Sequence, residues 1–137
     1  MKPFNSSRLK VIIDVMQRAL DVDKPFHMET WQDSWNGTST TEAELHTCGM
    51  SACVGGHLAV SPEWKHHGGE VGDGGIPVYY GAVGFQAIAD YLECHIQCAE
   101  MIVNPEQSEY FYKVYFEAVT PQIVVNRLNE LLESGDW

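Results

Sequence analysis

Three features of the sequence predict a mainly α-helical fold. Apolar residues recur at helical spacing in several segments, and hydroxyl, amide and proline residues stand where helices start. A single short stretch, near residues 76–80, reads as extended. The expectation is a compact single domain over residues 1–137, a bundle of about five helices with at most a short extended edge segment. At 137 residues and 45% apolar composition the chain is long enough to bury a core without disulfides or a structural metal.

Taken in order, Leu9, Ile12, Ile13, Met16 and Leu20 form an i, i+3, i+4 series behind Ser6 and Ser7. This predicts an amphipathic first helix, opened by a hydroxyl cap and ending near Val22. Lys24-Pro25 then forces extension, and Phe26, Met28, Trp31 and Trp35 supply large apolar bodies without a clear period. The two tryptophans are read as core rather than as a stacking platform for bases. The small polar segment from Asn36 to Thr41 is a loop.

A helix containing Met50 to Val60 follows, with Thr47 as cap. It holds Gly55 and Gly56, each costing about 1 kcal/mol relative to alanine. Close approach of a neighbouring backbone would compensate, which places this helix at the centre of the fold. Ser61-Pro62 caps and opens a short helix, and His66-His67 falls in a solvated turn. The glycine-rich run from Gly68 to Gly75 reads as a flexible loop. It lacks the Lys-Ser/Thr ending and preceding strand of a phosphate-cradling loop. Pro77 confines Ile76 to Tyr80 to a sheet edge or to no sheet.

Phe85, Ile88, Ala89, Leu92, Ile96, Ala99 and Val103 fit one long helix or two in line. Asn104-Pro105 starts another segment through Tyr110, Tyr112, Tyr115 and Phe116, whose aromatic face is left open between core and another subunit. Thr120-Pro121 opens the last helix with Val124, Leu128, Leu131 and Leu132 inward, and Gly135 stands where a left-handed C-cap is wanted.

Charge bounds the function classes. The formal net charge is −11, and from His66 onward eleven acids face Lys113 and Arg127 alone. Such a surface repels a phosphate backbone, so direct nucleic-acid binding is not expected. Asp14 breaks the longest aliphatic stretch, Val11 to Val15, and the residues before Lys10 carry no apolar run. No membrane span and no signal peptide are expected, and the cytoplasm is the expected compartment. An acidic face suits docking onto a basic protein surface, with its field steering encounter. The residues assigned to that contact are Glu100, Glu106, Glu109 and Glu117.

Phe26-His27-Met28-Glu29-Thr30-Trp31, then Cys48 to His57, Gly84-Phe85 to Val103 and Thr120-Pro121 to Leu132 occur in a distinctive order. In this the chain resembles a family of small uncharacterised helical proteins of bacteriophages and bacteria. That family has a Phe-x-Met-x-x-Trp element ahead of a Cys-Gly-Thr-x-x-Cys-type helix start. Met50 stands where the family has threonine, which removes a hydroxyl from the first helical turn. The resemblance implies a helical fold, a phage-like origin, and a break near Glu93 to His95 with Cys94 starting a second helix. It brings no activity with it.

The thiols and imidazoles are the remaining chemistry. Cys48, Cys53 and His57 form an alternative ligand set for zinc, with His46, Cys94, His95 and Cys98 elsewhere in the chain. The C-x4-C and C-x3-C spacings are not those of zinc fingers or ribbons, and buried cysteine is a common core residue. Cys94 and Cys98, four apart on one helix, hold their β-carbons too far apart for a bridge. Cys48, at a helix start beside Gly49, is the thiol best placed to react, with His46 or His57 as base. No catalytic residue, metal or cofactor is assigned. The leading expectation is a phage-type accessory protein acting through protein contacts. A Cys/His metal or thiol-dependent enzyme is the alternative, and a structural homo-oligomer subunit a second one.

Overall fold

A computed structural model describes residues 3–21, 26, 28, 31, 40–42 and 53–137, and shows a mainly helical, compact fold with one small antiparallel sheet. The first helix, α1 (Ser6–Asp21), buries Leu9, Ile12, Ile13 and Met16 of the predicted stripe together with Val15 and Ala19, while Leu20, the fifth predicted member, is half-buried. Its cap is not a serine. Asn5 accepts the Arg8 N–H through Oδ1 at 3.1 Å, and its own N–H donates to the Leu92 carbonyl at 2.6 Å. A side-chain amide can cap a helix and tie its entry to a neighbour at the same time, which a serine one residue later would not do here.

The described part of the glycine helix is α2 (Val54–Ala59), and all six of its residues are buried. Its position at the centre is as expected, but the space at Gly55 is not taken by a backbone. A Cβ there would strike the indole ring of Trp31, with Cε3 at 2.8 Å, and would meet Ile88 Cδ1 at 3.1 Å. Trp31 also packs against Phe85 at 5.4 Å between ring centroids, so it serves the core. Thr47, Met50 and Trp35 lie outside the described residues.

Ser61 caps α3 (Pro62–His66) by accepting the Trp64 N–H at 3.2 Å, and Trp64 is fully buried. Of the two histidines that follow, His66 is exposed. His66 ends the helix, whereas His67 stands in the turn after it, is half-buried and has its Nδ1 2.7 Å from the Tyr91 hydroxyl, so neither is the solvated turn residue expected.

The glycine-rich run is folded. Strand β1 (Gly69–Val71), a 3-10 turn (Asp73–Gly75), β2 (Pro77–Tyr79) and β3 (Ala82–Val83) make a three-stranded antiparallel sheet in the order β1-β2-β3. Gly74 and Gly75 take φ of 71° and 84°, and the Gly72 N–H closes the turn on the Ile76 carbonyl at 2.7 Å. Pro77 therefore lies in the middle strand, opposite Val71, and not on an edge. It is tolerated because it is the first residue of β2, where its missing N–H is least needed, while its carbonyl accepts from Gly84 at 2.9 Å.

The long apolar series divides into α4 (Phe85–Leu92) and α5 (Ile96–Val103). Glu93 adopts a left-handed conformation at φ 56°, and the Cys94 N–H reaches back to the Ala89 carbonyl at 3.0 Å. Cys94 thus lies ahead of α5 and does not start it; His95 is the cap, its Nδ1 accepting the Gln97 N–H at 3.2 Å. A left-handed glutamate costs about 1–2 kcal/mol. Its carboxylate is held by the Asn5 amide at 2.6 Å and by Arg8 at 3.5 Å, contacts that offset that strain.

Asn104 closes α5 and caps α6 (Pro105–Tyr112), accepting the Glu106 N–H at 3.0 Å. Lys113, at φ 63°, ends α6, and a 3-10 turn (Phe116–Ala118) leads to α7 (Pro121–Ser134). Thr120 caps α7 and Gly135 closes it at φ 74°, as expected. Helices α1 and α7 pack against each other, and the core runs continuously from α1 through α2, α4 and α5 to α7.

Candidate functional site

The thiols are placed for packing. Cys53 stands at the start of α2, 2% exposed, and burial pushes its thiol up to about 11 against the opposing pull of the Gly56 and Gly55 amides. Cys94 is pushed up to about 12, first by burial and then by the neighbouring Cys98, whose own thiol burial also raises. Thiols so shifted are almost wholly protonated at neutral pH and are poor nucleophiles. His57 is 1% exposed, with the Phe26 ring stacked on it at 6.2 Å and an interplanar angle of 12°. Among the described residues no group of three or more His, Cys, Asp or Glu side chains stands where it would hold a metal ion. Cys48 and His46 lie outside the described residues. The break at Glu93 takes Cys94 off the helix that carries Cys98, so the helical-spacing objection to a bridge no longer applies to that pair.

The three arginines, which would otherwise balance the acids, are engaged in the fold. Arg18 binds Glu42 and Glu63 at 2.8–3.2 Å, joining α1 to α3. Burial acts to raise the Glu63 carboxyl, but the Arg18 hydrogen bond, a backbone hydrogen bond and the charges of Arg18 and His67 together outweigh it and hold the group below its ordinary range. Arg8 lies over the Tyr91 ring at 5.0 Å and donates to the Tyr91 carbonyl at 2.9 Å. Arg127 covers Phe111 at 4.3 Å and donates to the Phe111 carbonyl at 2.9 Å.

Large apolar side chains are exposed in two places among the described residues: Tyr80 and Val83 at the sheet, and Tyr110 and Tyr115 on α6 and the chain just after it, where carboxylates stand beside them. The cap at Asn104 fixes the phase of α6, so that Ser108, Phe111 and Tyr112 turn inward, with the Tyr112 hydroxyl donating to the Ile102 carbonyl at 3.0 Å. Tyr110 is therefore carried outward and is 80% exposed; Tyr115, past the left-handed Lys113, is 74% exposed. The open question about the tyrosine cluster resolves into Tyr112 buried, with Tyr110 and Tyr115 on the surface.

Two adjoining hollows lie here. One, of about 510 Å³, is lined by Glu106, Gln107, Glu109 and Tyr110. The other, of about 520 Å³, is lined by Glu109, Lys113, Val114, Tyr115 and Ala118. Of the four acids assigned from sequence, Glu106 and Glu109 are brought together. Glu117 is exposed on the adjacent 3-10 turn, and Glu100 is on α5, lining neither hollow. The tyrosines carry no local signal that separates them: the Asn104-Pro105 cap fixes where α6 starts, and the core decides that Tyr112 is buried and Tyr110 is not.

Comparison with protein-family models, with curated proteins and with solved structures finds no match to this chain. Among the described residues no helix is long and apolar enough to cross a membrane.

Proposed function

We propose that this chain is a non-enzymatic accessory protein of phage type that acts in the cytoplasm by docking its acidic α6 face onto a basic protein surface. The observation that carries the reading is the exposure of Tyr110 and Tyr115 beside Glu106, Glu109 and Glu117. Exposed aromatic rings supply contact area at low entropic cost, and the carboxylates supply steering and select a partner of opposite charge. The net charge of −11 favours a basic partner and disfavours nucleic acid. The phage-type origin rests on the family resemblance of the sequence.

The test compares wild-type protein with the fourfold variant Glu100→Gln, Glu106→Gln, Glu109→Gln and Glu117→Gln as bait in bacterial lysate, at about 50 and 300 mM salt. Salt-sensitive capture by the wild type that disappears in the variant is expected. Identical capture by both baits overturns the acidic face.

A further inference from the structure

The lining of the hollow after α6 specifies an occupant. Val114, Tyr115 and Ala118 supply apolar surface, and Lys113 and Glu109, of opposite charge, also line it. The adjoining hollow shares Glu109, adds Glu106, and has the Tyr110 ring as one wall. Lys113 is the base among the lining residues, and it stands on the apolar side alone. The pair is thus polarised. One half is nearly neutral and apolar, and the other carries two carboxylates and a ring face suited to a cation.

We infer that the two hollows form one bipartite site for a partner segment bearing an apolar side chain next to a lysine or arginine. The apolar side chain fills the Val114–Tyr115–Ala118 hollow, and the cation lies between Glu106, Glu109 and Tyr110. Glu106, Glu109 and Tyr110 follow i, i+3 and i+4 along α6 and share one face, and Lys113 stands just past the helix end. Glu109 lines both hollows, so the two subsites adjoin, and an anchor and a base at positions i and i+2 of an extended segment, about 7 Å apart and on the same side of the chain, reach both. Lys113 repels a base from the apolar half, so the cation is directed to one end. A second copy of this chain is a poor occupant, since two surfaces of a protein at −11 repel each other.

This inference rests on the acidic-face reading and deepens it by naming what the partner presents. The probes are three fluorescein-labelled peptides with Ser-Gly flanks: one containing Leu-Ser-Arg, one Ser-Ser-Arg and one Leu-Ser-Gln. Binding is read by anisotropy at about 50 mM salt, where exposed charges are weakly screened. The Leu-Ser-Arg peptide is expected to bind at least tenfold tighter than either of the others. Ala118→Phe, at an exposed position where the fold has room, fills the apolar hollow. It should cancel the leucine advantage while leaving the Ser-Ser-Arg peptide unchanged. Glu106→Gln with Glu109→Gln should weaken both arginine peptides.

A leucine contribution below twofold, or an equal effect of Ala118→Phe on both arginine peptides, overturns the bipartite site but leaves the acidic-face reading standing. That reading falls by its own test, when the fourfold variant captures as the wild type does. Absence of binding by all three peptides also overturns the inference. So does a concentration-dependent dimer in sedimentation that Ala118→Phe abolishes, because the occupant would then be a second copy.

Discussion

Gly69→Ala is the substitution for which the packing gives the clearest expectation. A Cβ at Gly69 would fall on Nε1, Cδ1 and Cε2 of Trp64, closer than real carbon contacts come. The indole cannot retreat. It is fully buried, its Nε1 donates to the Glu70 carbonyl at 3.0 Å, and the Tyr91 and Tyr79 rings flank it at 4.9 and 5.4 Å. Overpacking costs about 1–3 kcal/mol. Displacing the indole from its acceptor strands a buried donor, at a further ~1–3 kcal/mol. Lower unfolded-state entropy returns about 0.4–1 kcal/mol. The net loss is about 1–6 kcal/mol, a large part of a typical stability of about 5–15 kcal/mol. At about 3 °C per kcal/mol the melting temperature falls by about 3–18 °C. Urea unfolding followed by tryptophan fluorescence measures the loss. In a Trp64→Phe background the added cost of Gly69→Ala should fall below ~1 kcal/mol, because the smaller ring leaves room. A Gly69→Ala cost under ~0.5 kcal/mol, or an equal cost in both backgrounds, would refute the packing argument.

Three other outcomes follow from the ionisable groups. Arg18→Met should destabilise the protein by about 1–2 kcal/mol at pH 7, modest because the pairs are partly exposed. Glu63, whose carboxyl is depressed in the fold, contributes stability above its unfolded pKa that is lost as pH falls through the folded value; the variant should lose less on acidification in urea titrations. At the other end of the scale, Cys53, raised to about 11, and Cys94 and Tyr91, each raised to about 12, bind protons more tightly folded than unfolded. Stability should therefore hold below about pH 9 and fall as pH rises toward these values, with a shallower fall in Cys53→Ala; a flat profile from pH 8 to 10.5 would contradict the burial of these groups. In native protein at pH 7.5, iodoacetamide mapped by peptide mass should reach Cys98 before Cys94, and Cys53 last; prompt labelling of Cys53 would show that α2 does not bury it.

The local grammar of the helices was legible. Ser61, Asn104, Thr120 and Gly135 each stand at the helix end where their residue types predict, because a cap depends on a few neighbouring atoms. The division between α4 and α5 was not legible from periodicity, since the apolar series passes through it without a change of phase. One left-handed residue, Glu93, makes the break, and its cost is offset by contacts from Asn5 and Arg8, 88 and 85 positions away. The serine cap expected for α1 failed for the same reason, because Asn5 is drawn into place by the Leu92 carbonyl. Pro77 misled because its restriction depends on position within a strand, and that position is set by pairing with Val71 and by a turn built from glycines.

The candidate site was half legible. An excess of carboxylates after His66 is a matter of counting, and Glu106 and Glu109 fall on one helical face by spacing alone. Which aromatic residues join them is decided by the core, which takes Phe111 and Tyr112 and leaves Tyr110 and Tyr115 outside.

By itself, then, the sequence determined the helical class, the caps of α3, α6 and α7 and the sign of the surface, since each follows from near-neighbour chemistry or from composition. Tertiary structure decided what holds the left-handed break at Glu93, that the glycine run becomes a sheet, and which side chains gather around the two hollows. Those outcomes depend on contacts between residues far apart in the chain, which no local pattern encodes.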